Sequence, residues 1–190
     1  MKMLDARQVN AIQGMGTFLR SWLGGEHSLL DATIEPTRAE TGNINIAGTA
    51  WASESLLLSP TDARFQDFIE PGVRTLVGAV IGRGWISYTS CEGHAYPDGA
   101  ADERHVGIVP RNNREAAEIL KLWTHIAASW EKLYPCNPCE LALMRPALMC
   151  DGSTEISGID LYISKRVAAS WACYFNAVSE ASDFAAERLA

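Results

Sequence analysis

No stretch of the chain approaches the roughly 18 consecutive apolar residues that a membrane-crossing helix needs. The opening Met-Lys-Met-Leu-Asp-Ala-Arg leads into mixed polar and apolar residues and not into the apolar run of a secretory signal, so a cytoplasmic protein is expected. Positive charge is in deficit: 16 Lys and Arg face 23 Asp and Glu, for a net charge of -7, which works against loose binding to nucleic acid. Basic residues near predicted element ends, Arg104, Arg111, Arg114, Arg145, Lys165 and Arg166, leave a specific nucleic-acid ligand open. Cysteine is scarce and odd in number, five in 190 residues, which argues for free thiols or metal ligands over a disulfide framework. Walker, GxGxxG, HExxH and GxSxG motifs are missing, as are internal repeats, low-complexity tracts and any dividing linker.

What is there is an ordinary globular composition, 47% hydrophobic and 21% charged, in a length that suits one domain spanning residues 1–190. Val9, Ile12, Met15, Leu19 and Leu23 recur with a helical period, predicting a helix from Ala6 to Leu23 that Gly24-Gly25 ends. Gly42 to Gly48 alternates like a short strand, and Trp51 to Leu58 fits strand or helix. Ser59-Pro60-Thr61-Asp62 is a helix start ahead of Phe65, Phe68 and Ile69, and Pro71 kinks that helix or begins another. Val73, Leu76, Val77, Val80 and Ile81 form a buried helical stripe that Gly82 or Gly84 can terminate.

Trp85 to Thr89 then reads as a strand, Pro97-Asp98-Gly99 as a turn, and His105 to Val109 as a second strand paired with the first. Asn112 or Asn113 caps a helix reaching about Leu133, with Ala117, Leu120, Trp123, Ile126, Ala127 and Trp130 inward and Pro135 as its stop. Glu140 to Met149 and Glu155 to Ile163 form a hairpin, with Pro146 placing its first strand at an edge or bulge, and Lys165 to Leu189 is a last helix. The fold expected is α/β (α+β): a small mixed β-sheet covered by several helices.

The chemically distinctive segment is Ser90-Cys91-Glu92-Gly93-His94 at the end of a predicted strand. It gathers a thiol, a carboxylate and an imidazole, with Gly93 permitting a tight backbone. Cys91 is a candidate nucleophile, and Glu92 or His94 candidate proton carriers; the bland alternative is a buried Cys91, a solvated Glu92 and a His94 bonded within its own turn. His105, beside Arg104 on the return strand, is placed to meet Cys91 or His94 across two strands, although a sheet-edge histidine without function is the commoner case.

This segment, with the helix before it and the return strand after it, resembles the wybutosine-synthesis methyltransferase family. There a strand ends in Ser-Ser-Cys-Ser-Gly-Arg; the segment is also similar to small bacterial and phage proteins carrying Ser-Cys-x-Gly-His. The resemblance covers about residues 71–110. It implies an α/β fold, S-adenosylmethionine or another nucleotide-related ligand, and a site made by Ser90, Cys91, Gly93 and His94. Glu92 replaces a serine and His94 an arginine, so a planar guanidinium contact to an anion is lost.

A zinc reading competes for the same thiol. Cys91-x2-His94 and Cys136-x2-Cys139 supply two ligand pairs, separated by 41 residues that include a long helix. Cys136-Asn137-Pro138-Cys139 follows a helix where a redox pair normally begins one, so it reads as a proline-shaped turn. Asp160 interrupts an apolar strand pattern, and alternation alone points it at water. Trp22, Trp51, Trp123, Trp130 and Trp171 sit mostly at helical spacing and read as core; His27 and His125 receive no role.

The expected function is binding of, or action on, a nucleotide-like or other anionic small molecule at the Ser90–His94 loop, with Arg104 as a further ligand contact. The alternative is a non-catalytic interaction subunit of a bacterial or phage multi-component system, its Cys and His residues structural or zinc-binding. Trp171, Tyr174, Phe175 and Val178 would then meet a protein partner.

Overall fold

The computed structural model describes residues 1–4, 9–11, 15–24, 35–45, 48–49, 60–150 and 154–190. The first elements are β1 (Lys2–Leu4), β2 (Val9–Ala11), α1 (Met15–Gly24), β3 (Thr37–Arg38) and β4 (Ile44–Asn45). After them come α2 (Arg74–Gly82), β5 (Ile86–Cys91), β6 (Arg104–Val109), α3 (Asn113–Leu133), β7 (Cys139–Met144), β8 (Ala147–Cys150), β9 (Thr154–Ser157), β10 (Ile159–Lys165) and α4 (Trp171–Leu189). A mixed five-stranded sheet of order β1-β7-β10-β6-β5 is the centre. Only β1 runs parallel to its neighbour, β7; the other pairings within this sheet are antiparallel. The expected α+β architecture is the one formed.

Apolar alternation divides the sheet into two faces. Val106, Ile108, Leu141, Leu143, Ile159, Leu161 and Ile163 meet α2, α3 and α4 in the larger core, with Trp123 and Trp130 buried at its middle. Their indole N–H groups are not stranded there, since each donates to a β7 carbonyl, Ala142 and Cys139 respectively. On the opposite face Ile86, Tyr88 and Val109 pack with Met15 and Phe18 of α1 and Leu148 of β8.

Several local expectations change. The period-3.6 pattern at the N-terminus hides a strand: Val9–Ala11 pairs in parallel with Ala147–Met149, and the helix starts at Met15. Pattern alone could not see that tertiary pairing. Asp62 accepts from the Arg64 amide at 2.9 Å, but the Phe65–Phe68 turn it precedes is a short 3-10 segment, and Pro71–Val73 leads from a second one into α2. In α3 the inward positions are Ile119, Trp123, Ile126, Ala127 and Trp130; Ala117 is exposed and Leu120 half-buried.

Pro146 does not put β7 at an edge, since β7 lies between β1 and β10. It instead breaks one long hairpin in two: β7 and β10 belong to the large sheet, and β8 and β9 to a second sheet with β2. Gly158 donates to the Pro146 carbonyl at 2.8 Å across the break. Lys165 ends β10, and the last helix begins only after Ser170, whose side chain accepts from the Cys173 amide. Its aromatic stripe packs on the core: Tyr174 and Val178 are buried, and Trp171 and Phe175 lie half-buried against it. Trp51 to Leu58 lies outside the described residues.

Candidate metal centre

The β5–β6 hairpin brings the distinctive segment to one end of the sheet. Cys91 is the last residue of β5 and pairs with His105 of β6. Beyond it the ladder is interrupted at Glu92-Gly93 and resumes where His94 and Asp102 exchange backbone hydrogen bonds of 3.2 and 2.8 Å. Gly93 makes this possible: its φ is +87°, and a Cβ there would meet the Asp102 carbonyl oxygen at 3.1 Å. The hairpin closes over the expected Pro97-Asp98-Gly99 turn, with Tyr96 donating to the Asp102 carboxylate.

That interruption turns His94 inward, where it is 2% exposed. Its Nδ1 lies 2.9 Å from the Thr41 carbonyl, an acceptor only, so Nδ1 carries the proton. Nε2 lies 2.9 Å from Glu70 Oε1. Glu70 is itself buried, on an extended residue ahead of Pro71, and its carboxylate accepts from the backbone N–H groups of Glu92 at 2.6 Å and Ile44 at 3.3 Å. Cys91, half-buried, accepts from the Gly93 amide at 3.3 Å. Glu70, Cys91 and His94 each offer a ligand atom, and these atoms lie within 4.8 Å of one another.

Burial works to lower the His94 pKa, but the Cys91 thiol and the Glu70 carboxylate outweigh it and raise the imidazole to about 10. Without a metal the protonated ring is held between the Glu70 carboxylate and the Cys91 sulfur.

Glu92 is a tie and not a proton carrier. One carboxylate oxygen accepts from the Gly72 amide at 2.7 Å and the other from Arg38 at 2.7 Å, while its carbonyl accepts from Arg104 at 2.9 Å. Arg104 is buried, with its amide donating to the Tyr174 hydroxyl, so it braces the loop and does not present a free guanidinium to a ligand. Ser90 pairs with Val106, on the helix-covered side of the sheet. His105, opposite Cys91, stacks on Tyr162 with ring centroids 4.8 Å apart, and its Nδ1 donates to the Glu103 carbonyl.

Cys136 and Cys139 do not join this group. Cys139 begins β7, and β10 and β6 intervene between it and β5, a separation of about 14 Å at the usual strand spacing. Its thiol is buried against the Tyr174 carbonyl and desolvation pushes it up to about 12, which disfavours both metal ligation and redox chemistry. Cys136 is exposed. The Cys91, Cys136, Cys139 and Cys173 thiols are all free, His125 is exposed on α3, and His27 lies outside the described residues.

Sequence reasoning missed Glu70, Thr41 and Arg38. Glu70 had a signal: a lone carboxylate between Phe68-Ile69 and Pro71-Gly72-Val73, in a stretch otherwise bound for the core. The other two had none, since a carbonyl and an exposed arginine carry no pattern.

Compared with known proteins, the chain matches no protein-family model, no curated protein and no solved structure. Among the described residues no helix is long and apolar enough to cross a membrane.

Proposed function

We propose that this protein is a metal-dependent domain in which Glu70, Cys91 and His94 hold one zinc-class divalent ion, with a fourth position left for water or a substrate atom. The observation that carries the reading is the convergence of one oxygen, one sulfur and one nitrogen ligand atom within 4.8 Å. Tetrahedral zinc with bonds of about 2.0–2.3 Å separates neighbouring ligands by about 3.3–3.8 Å, so small shifts would suffice. Each ligand is also oriented from behind. The Thr41 carbonyl accepts a hydrogen bond from His94 Nδ1–H, backbone amides hold Glu70, and the Gly93 amide points at the Cys91 sulfur, the arrangement that steadies metal ligands elsewhere.

A mixed thiolate, imidazole and carboxylate set suits zinc better than magnesium or calcium. Three protein ligands with one open position is the pattern of catalytic zinc, which acidifies a bound water. Because the centre gathers carboxylate, thiol and imidazole ligand atoms, what it would hold directly is a metal cation. A nucleotide-like or other anionic molecule enters this reading as the group that completes the ion's coordination.

A thiol-based reaction is the second reading, favoured by Cys91 standing opposite His105. His94 is poorly placed to be its base, with one ring nitrogen on the Thr41 carbonyl and the other on Glu70.

Native mass spectrometry and elemental analysis of the reduced protein decide between them. One zinc per chain, lost in Cys91→Ser and Glu70→Gln and kept in Cys136→Ser and Cys139→Ser, supports the metal centre. A metal-free mass after zinc loading overturns it and leaves the thiol reading, which alkylation of Cys91 would then probe.

A further inference from the structure

We infer that the β3–β4 hairpin is a latch on this metal site, and that Arg38 and Gly42 govern how fast the ion leaves. The inference rests on the reading of Glu70, Cys91 and His94 as ligands.

By itself the hairpin is too small to persist. Its ladder is Thr37 with Asn45 and Arg38 with Ile44, closed by a turn in which Ala39 donates to Asn43 at 2.8 Å and Gly42 to Ala39 at 2.9 Å. Isolated two-stranded hairpins are marginal at best in water, and one this short has still less to hold it. Its contacts to the site do hold it. Arg38 reaches Glu92, the Thr41 carbonyl accepts from His94 Nδ1–H, and the Ile44 amide donates to Glu70. Two of these partners are ligands, and the third, Glu92, holds Glu70 through its own backbone amide.

The fit is close at the turn. Gly42 is buried with φ +100°, and a Cβ there would lie 2.9 Å from a Glu92 carboxylate oxygen and 3.3 Å from His94 Nδ1. No other residue type lets the backbone approach the ligand set so nearly. Among the described residues the Thr41 hydroxyl is buried without a hydrogen-bond partner, a cost borne by the residue whose carbonyl orients His94. For an ion to depart, its bonds to His94 and Glu70 must break, and the hairpin fixes both side chains. Opening the hairpin is therefore the motion that frees the ion, and binding the ion is what should hold the hairpin shut.

The test uses zinc alone as probe. Zinc release from the intact chain is timed with a chromogenic chelator, for wild type and Arg38→Ala, and backbone hydrogen exchange of residues 35–45 is measured with and without zinc. Arg38 is exposed and is not itself a candidate ligand, so Arg38→Ala is expected to bind one zinc yet release it about tenfold faster or more, as other outer-sphere losses do. Zinc is expected to slow exchange in the hairpin, and Gly42→Ala to speed release further. Stoichiometric zinc with unchanged release in Arg38→Ala and unchanged exchange overturns the latch while leaving the metal centre standing. Failure of wild type to bind zinc overturns both.

Discussion

The Tyr88 hydroxyl donates a 2.6 Å hydrogen bond to Asp160 although a whole strand lies between them, Tyr88 being on β5 and Asp160 on β10 with β6 in the middle. The ring reaches over Gly107, where a Cβ would stand 2.5 Å from the ring and 2.7 Å from the Asp160 carboxylate. A β-bulge between Ser87 and Thr89 supplies the extra residue that aims Tyr88 this way. Asp160 is thereby buried at 3% exposure, contrary to the solvent-facing position that alternation implies.

Burial raises the Asp160 pKa, against the lowering effects of His105 and Tyr88. The native state then binds its proton more tightly than the unfolded state, so stability falls as pH rises through the window above 3.8. Asp160→Asn, which keeps an acceptor for Tyr88 and removes the charge, should be neutral or stabilising at pH 7. Asp160→Ala should cost about 1–3 kcal/mol by orphaning a buried hydroxyl. Urea unfolding of both variants at pH 4 and pH 7 checks the sign.

Gly107→Ala has no room for its methyl group. Its expected cost is about 1–3 kcal/mol, from displacing the Tyr88 ring. Pairing it with Tyr88→Leu should recover part of the loss, and a double-mutant cycle by chemical denaturation reads the coupling.

For His94 the sign is the same, although here the fold favours the charged form of the group. Its folded pKa, about 10, lies above the ordinary 6.5, so in metal-free protein the stabilisation is fully present below pH 6.5 and lost as pH climbs towards 10. Thermal unfolding in the presence of a chelator should show Tm declining across that range. His94→Gln should flatten the decline while lowering Tm at pH 6.

Asn112 provides a control distant in sequence from the candidate ligands. Its side chain accepts from the Glu115 amide at 3.0 Å at the start of α3, and Asn112→Ala should cost about 1 kcal/mol. Zinc content should be unchanged, which separates a general loss of stability from damage to the centre.

Much of the fold was readable because it rests on local chemistry: the stripe of α2, the cap of α3, the aromatic and β-branched strand ending at Cys91. What failed to read was set by partners far along the chain. Val9–Ala11 becomes a strand only because β8 offers it a parallel edge, and Asp160 turns inward only because Gly107 lets Tyr88 reach it. At the site, Cys91 and His94 announced themselves by type and spacing, and the Cys91–His105 pairing followed from two neighbouring strands. The Cys136-x2-Cys139 pair had equally good spacing, but the strand order carries it to the far side of β10.

His94 finds its two ring partners 24 and 53 residues away in the chain, at Glu70 and Thr41. Closing the longer of these loops costs about 0.7 kcal/mol more than closing the shorter, and neither closure is rewarded until β5 and β6 have already paired. The candidate ligand set is thus an outcome of folding and not its seed: a refolding chain should complete its sheet before Glu70, Cys91 and His94 come together.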